Sequence, residues 1–320
     1  MDIYISSASA YSFWVSGVSR EGLPVLHMEE NSRYISNKMI NYARAAIRPT
    51  AGKLCFSAAN SGARGKSKLA KFHIDKKAPL YHRYLQVDEE IAVSDPETCF
   101  LEMARSASKP DLIVAGYHLC ASYFVQEGKI VQRKPLTTVA KLLEFVRSCP
   151  DTNAARLARS ALRYVRDNSK SPMETYLSLS FVMPRNYGGY RLPLPALNRR
   201  IEADPNSRIL RKYFECDLYW DFAKVAVEYD SNEFHALEKR MSMDSTRRAE
   251  LASLGVHTLS ITAAQFYNLI EFDVFAHALG TLLGKTVPMS SRDFLKKRML
   301  LRDFIKEKQL QESRQQFTVA

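Results

Sequence analysis

The sequence predicts an α/β protein in which a mixed sheet flanked by helices is preceded by an α+β region. Two observations carry this. From residue 213 onward, β-rich alternation over 225–230 gives way to a helix-period run from about Phe234 to Leu254. That run is followed by Gly255 and the β-rich segment VHTLSI, so the order is strand, strand, helix, strand. Before residue 150, short β-like runs alternate with helix-like runs.

In order along the chain, strands are expected over Ile3–Ser6, Lys53–Ala58, Ala70–Ile74 and Tyr84–Val87. A helix should open at Ser94-Asp95-Pro96, with Pro96 at its first position, where a missing N–H costs nothing. Gly62-Ala63-Arg64-Gly65-Lys66-Ser67 has the look of a phosphate-binding loop, but the first glycine of that pattern falls on Asn60, so a basic loop is the better reading. Ser171-Pro172-Met173-Glu174 is a helix start in which Ser171 caps and Glu174 reaches back. A last helix begins near Ser290-Ser291-Arg292-Asp293, with Phe294, Leu295, Leu301, Phe304 and Ile305 as its apolar residues and Arg292, Lys296, Lys297, Arg302, Lys306 and Lys308 as its basic ones. The apolar stripe is expected to dock on the body of the protein, with a homodimer, another protein partner or a membrane surface as alternatives. The organisation that follows is 1–150, 151–286 and 287–320.

The chemistry is concentrated in CDLYWDFAKVAVEYD, residues 216–230. On a period-2 strand Val225, Val227 and Tyr229 face one way and Glu228 and Asp230 the other, with Asp217 on the preceding strand. Carboxylates placed together repel, and burying them without a counter-ion is costly; a divalent cation with hard oxygen ligands removes that cost and activates water. Exposed acids on an ordinary half-buried strand are the plain alternative.

The order Asp217, Glu228-x-Asp230, His235, Asp244, Arg247-Arg248, Leu251 and Gly255 resembles the Vsr-like branch of the PD-(D/E)XK endonuclease superfamily, including the nuclease-like domain of AbiEi-type antitoxin and regulator proteins. The resemblance covers about residues 150–285. It implies a restriction-endonuclease-like sheet, Mg²⁺ or Mn²⁺ held by Asp217 and Glu228, Glu174 as a supporting acid, and Asp230 and His235 beside a scissile DNA phosphate. The family's lysine would stand at position 230, which is Asp here, so His235 is the candidate base; a first-turn helix histidine is its plain reading. Val93-Ser94-Asp95-Pro96-Glu97 matches a turn of the same relatives. The resemblance leaves two functions open: a metal-dependent DNA endonuclease, or a silent nucleic-acid- or protein-binding module of an antitoxin or regulator.

Charge agrees with a polyanionic partner. The chain carries +12. Residues 152–212 hold twelve Lys/Arg against four Asp/Glu, a local +8, whereas 213–260 hold five against nine, a local −4. Arg156, Arg159, Arg163 and Arg166 recur at helical spacing and are candidates for phosphate, with Arg247 and Arg248 nearer the acids; a solvated basic face is the alternative. Five widely spaced cysteines with no C-x-x-C pair argue against a disulfide scaffold or zinc finger. Asp2 where a leader needs positive charge, and the lack of any long apolar run, lead to the expectation of a cytoplasmic protein with no membrane partner.

Overall fold

The computed structural model describes residues 3–29, 34–47, 52–65, 67–76, 78–203, 209, 211–230, 237–287 and 291–313. The architecture is α/β, with mixed sheets flanked by helices. The chain divides into two compact units, Met1–Val165 with Leu310–Ala320, and Arg166–Gln309.

The first unit contains, in order, β1 (Ile3–Ile5), α1 (Ser7–Val15), β2 (Val25–His27), α2 (Asn37–Ile47), β3 (Leu54–Ala58), β4 (Ala70–Ile74), α3 (Ala78–Tyr81), β5 (Arg83–Gln86) and β6 (Ile91–Ser94). These are followed by α4 (Pro96–Met103), α5 (Lys109–Cys120), β7 (Tyr123–Gln126), β8 (Lys129–Gln132), α6 (Val139–Ser148) and α7 (Asn153–Leu162). Six strands form one sheet in the order β2-β5-β6-β1-β3-β4, with β1 parallel to β6 and β3 parallel to β4. The interior strands β1, β3 and β6 are buried along their whole length, which is why they read as short apolar runs without alternation.

Asp95 caps α4 by accepting the Thr98 N–H at 2.7 Å, with Pro96 in the first turn, as the sequence predicts. One turn on, buried Glu102 accepts the Ser7 N–H at 2.8 Å and the Ser57 hydroxyl at 3.0 Å, and His82 Nδ1 lies 3.3 Å away. Burial opposes its ionisation, but these donors outweigh burial and hold its carboxyl below the usual range. That buried anion ties α4 to the start of α1 and to β3.

The boundary at 165/166 lies beyond the expected 150 because α7 packs on α4, α5 and α6. Ala155, Ala158, Ala161 and Leu162 are the buried side of α7. The four arginines do not form one helical face. The helix stops at Leu162, Arg163 is its C-cap, and Arg166 lies outside it in the second unit. Asn168 takes a left-handed φ of +70°, which an Asn tolerates. Arg156 and Arg159 both pair with Asp151.

The second unit is built from α8 (Pro172–Val182), β9 (Ala196–Glu202), β10 (Tyr213–Trp220), β11 (Val225–Asp230), α9 (Leu237–Ser253), β12 (His257–Thr262), α10 (Ala263–Tyr267), α11 (Leu269–Leu282) and, up to Gln309, α12 (Arg292–Ser313). Its sheet runs β12-β11-β10-β9. The first three strands in sequence are antiparallel, and β12 joins β11 in parallel after the α9 crossover. Gly255, at φ +74°, turns the chain from α9 into β12.

The apolar side of α12 docks within its own unit through Phe294, Leu301 and Ile305, all buried. Two expectations for this helix are corrected. Leu295 is 40% exposed, while Arg302, placed on the basic face by its charge, is 9% exposed and lies over the rings of Phe266 and Phe272. Arg298 is likewise buried and bonds to Asp273 and to the Leu269 carbonyl. The inward stripe is therefore apolar and arginine together.

Candidate functional site: an acid cluster on the second sheet

Asp217 stands where the sheet loosens. The ladder from β10 to β11 ends at Leu218 opposite Val227, so the next residues outward are Asp217 and Glu228. Rather than leaving the following N–H open, the Asp217 carboxylate accepts it from Tyr229 at 2.8 Å. The paired registers of β10 with β9 likewise step from Cys216–Arg199 to Leu218–Leu197, and between them Asn198 takes a left-handed φ of +49°. Asn is among the few side chains that adopt this conformation, and inside a strand it marks a local constraint.

Asn198 connects the sheet to α8. Its amide donates to the Asn168 carbonyl at 2.8 Å and to Glu174 Oε2 at 2.5 Å. Glu174 occupies the N3 position of α8, where it accepts the Ser171 hydroxyl at 2.8 Å and the Lys170 N–H at 2.8 Å. Ser171 in turn accepts the Glu174 N–H, so the predicted cap is present. The cap and the acid site are thus the same residue.

Glu174, Asp217 and Glu228 act on one another. Burial, then the charge of Asp217, push Glu228 up to about 7. Burial raises Glu174 to about 7 as well, with Asp217 the charge that adds to it. Asp217 is raised by burial, against the Tyr229 N–H and the Arg247 charge. Arg247, on α9, donates to Glu228 Oε1 at 2.9 Å and to the Glu215 carbonyl at 2.7 Å, while its buried Nε has no acceptor among the described residues. Lys170 Nζ reaches Glu215 at 2.6 Å.

The remaining predicted residues are placed differently. Asp230 is exposed at the end of β11, whereas the cluster's third acid is Glu174. Arg248 is exposed on α9, and His235 lies outside the described residues. Asn198 and Lys170 were not anticipated. An Asn within the strand-like stretch ALNRRIE, a residue type depleted in strands, was the available signal.

No group of three or more His, Cys, Asp or Glu among the described residues is arranged to hold a metal ion. The donor set still suits a hard cation bound by two carboxylates, because Mg²⁺ commonly takes one or two and fills the rest of its shell with water and phosphate oxygens. Asp217 and Glu228 repel each other and are partly buried, which a cation would relieve. All five cysteines are free and buried. No helix among the described residues is long and apolar enough to cross a membrane. Comparison with known proteins finds no matching family model, no matching curated protein and no matching solved structure.

Proposed function

We propose that the second unit is a metal-dependent, endonuclease-like hydrolase of DNA phosphodiesters. The observation that carries this reading is that Glu174, Asp217 and Glu228, from α8, β10 and β11, are each raised by burial, with the charges of Asp217 and Glu174 both bearing on Glu228. An isolated structural acid needs no such company, whereas a cation site does. The resemblance to the Vsr-like branch supports the same assignment, with Asp217 and Glu228 as ligands of Mg²⁺ or Mn²⁺.

A bound ion would lower the pKa of a coordinated water and offset charge on the phosphate. The chain's own residues do the rest. The Tyr229 N–H fixes the Asp217 carboxylate. Glu174, at about 7, is poised to give or take a proton near neutral pH. Arg247 holds Glu228 through one nitrogen and brings positive charge to the site. Arg166 and Arg248 are the candidates of this unit for the flanking DNA backbone, and Asp230 and His235 for groups near the phosphate; Arg156, Arg159 and Arg163 are separate DNA-binding candidates on the first unit.

A second reading, a silent binding module of antitoxin or regulator type, is favoured by one contact. Arg247 already supplies Glu228 with positive charge, and Asp230 stands where the family has lysine. In that case a protein partner or second copy would use the outer side of α12, where Leu295, Met299 and Leu300 are exposed.

Incubation of the protein with supercoiled plasmid and with single-stranded DNA separates the two. Cleavage is expected with Mg²⁺ or Mn²⁺ and not with EDTA, and Glu228→Gln should reduce it by orders of magnitude. A wild-type protein that cuts neither substrate in either metal sinks the hydrolase and leaves the binding module.

A further inference from the structure

A cleft of the second unit shares Asn198 with the acid cluster. It has a volume of about 570 Å³ and runs along β9, the end of β10 and residues 166–168. Its walls combine the two side-chain types that hold an unpaired nucleotide. Arg166 and Arg199 supply guanidinium groups, and Phe222 supplies an aromatic face.

Phe222 is the informative residue. It sits in the four-residue turn between β10 and β11, where any polar residue would serve, and is 65% exposed. A large ring held in water at the rim of a cleft is available for stacking. Arg166 is oriented by donating from Nε to the Pro195 carbonyl at 3.2 Å. Arg199 pairs with Asp221 at 3.4 Å, a solvent-exposed ion pair of little worth, which a phosphate can displace. Asn198 joins the cleft to the chemistry: it lines the cleft and also donates to Glu174.

We infer that this cleft binds an unpaired nucleotide of a single-stranded nucleic acid, its base on Phe222 and its backbone on Arg166 and Arg199, beside the phosphate presented to Glu174, Asp217 and Glu228. This rests on the proposed hydrolase for its final clause only. The substrate of the site is then a single strand, a frayed end or a flipped nucleotide rather than an intact duplex.

The test is fluorescence anisotropy of the full chain in EDTA, so that no cleavage occurs, with labelled oligothymidylate, a duplex of equal length, and unlabelled thymidine monophosphate as competitor. The single strand should bind more tightly than the duplex. Phe222→Ala should weaken single-strand binding by about ten-fold, as loss of one stacked base predicts, with duplex binding unchanged and Phe222→Trp close to wild type. Because Phe222 is exposed, the variants should fold, which circular dichroism checks. Unchanged single-strand affinity in Phe222→Ala, or equal weakening toward duplex, overturns the inference. So does competition by the mononucleotide at the strand's own affinity, which would make the occupant a free nucleotide. A protein that cleaves nothing yet loses single-strand binding in Phe222→Ala keeps the cleft and loses the hydrolase; one that cleaves but binds through Phe222→Ala unchanged does the reverse.

Discussion

Glu228 concentrates the chemistry at the scale of a single residue. Its folded pKa of about 7 lies above the ordinary 4.5, so between those values the native state binds more protons than the unfolded chain. Stability contributed by the protonated form is therefore present at low pH and is lost as pH rises through 7. Burial sets this first; Asp217 and Glu174 add to it, and Arg247 and Cys216 oppose it. In the metal-free protein, thermal melting should fall between pH 5 and pH 8, and Glu228→Gln, which keeps an oxygen for Arg247, should flatten that fall. At pH 8 the variant should be more stable by about 1 kcal/mol, less than the full shift implies because Arg247 loses a charged partner. Parallel pH profiles for the two proteins would show that Glu228 is not titrating in this window.

At the scale of the element, α12 offers a direct test of how an arginine serves as core. Arg298 is 3% exposed, with Asp273 and the Leu269 carbonyl as acceptors and the rings of Tyr190 and Phe294 beneath it. Truncation leaves Asp273 without its cation and opens the packing, so Arg298→Ala should cost about 2–4 kcal/mol in denaturant unfolding, reduced from a fully buried pair because Asp273 is partly exposed. A loss below about 0.5 kcal/mol would assign α12 the weaker role of a surface helix.

The same helix shows where sequence reading reaches its limit. Phe294, Leu301 and Ile305 follow helical period and were legible, as were the caps at Asp95 and Ser171 and the strands from Leu54 and Ala70, because each is a local pattern. Arg298 and Arg302 were not, since charge says outside and only tertiary partners reverse it. Asp217 and Glu228 were legible as acids on adjacent strands and Glu174 as an acid in the first turn of a helix, which is where they stand. That Glu174 and not Asp230 completes the cluster depends on how α8 meets β9 and β10, through an Asn198 amide that no spacing encodes. The arginine run at 156–166 misled for a related reason. Three- and four-residue steps continued past Leu162, but the helix did not.

At the scale of the whole molecule, a chain of net charge +12 keeps three mutually repelling carboxyls partly buried in one unit. On the proposed reading, a polyanion drawn to such a protein would meet negative charge at the acid cluster, and a divalent cation would reconcile the two. Calorimetric titration of Mn²⁺ into the full chain at pH 7 tests this most directly, repeated in buffers of different ionisation enthalpy. A single ion is expected to bind with release of protons, since Glu228, near 7, must ionise to accept it, and Asp217→Asn and Glu228→Gln should each abolish the binding. Absence of binding to the wild-type protein, or equal binding by both variants, would contradict it.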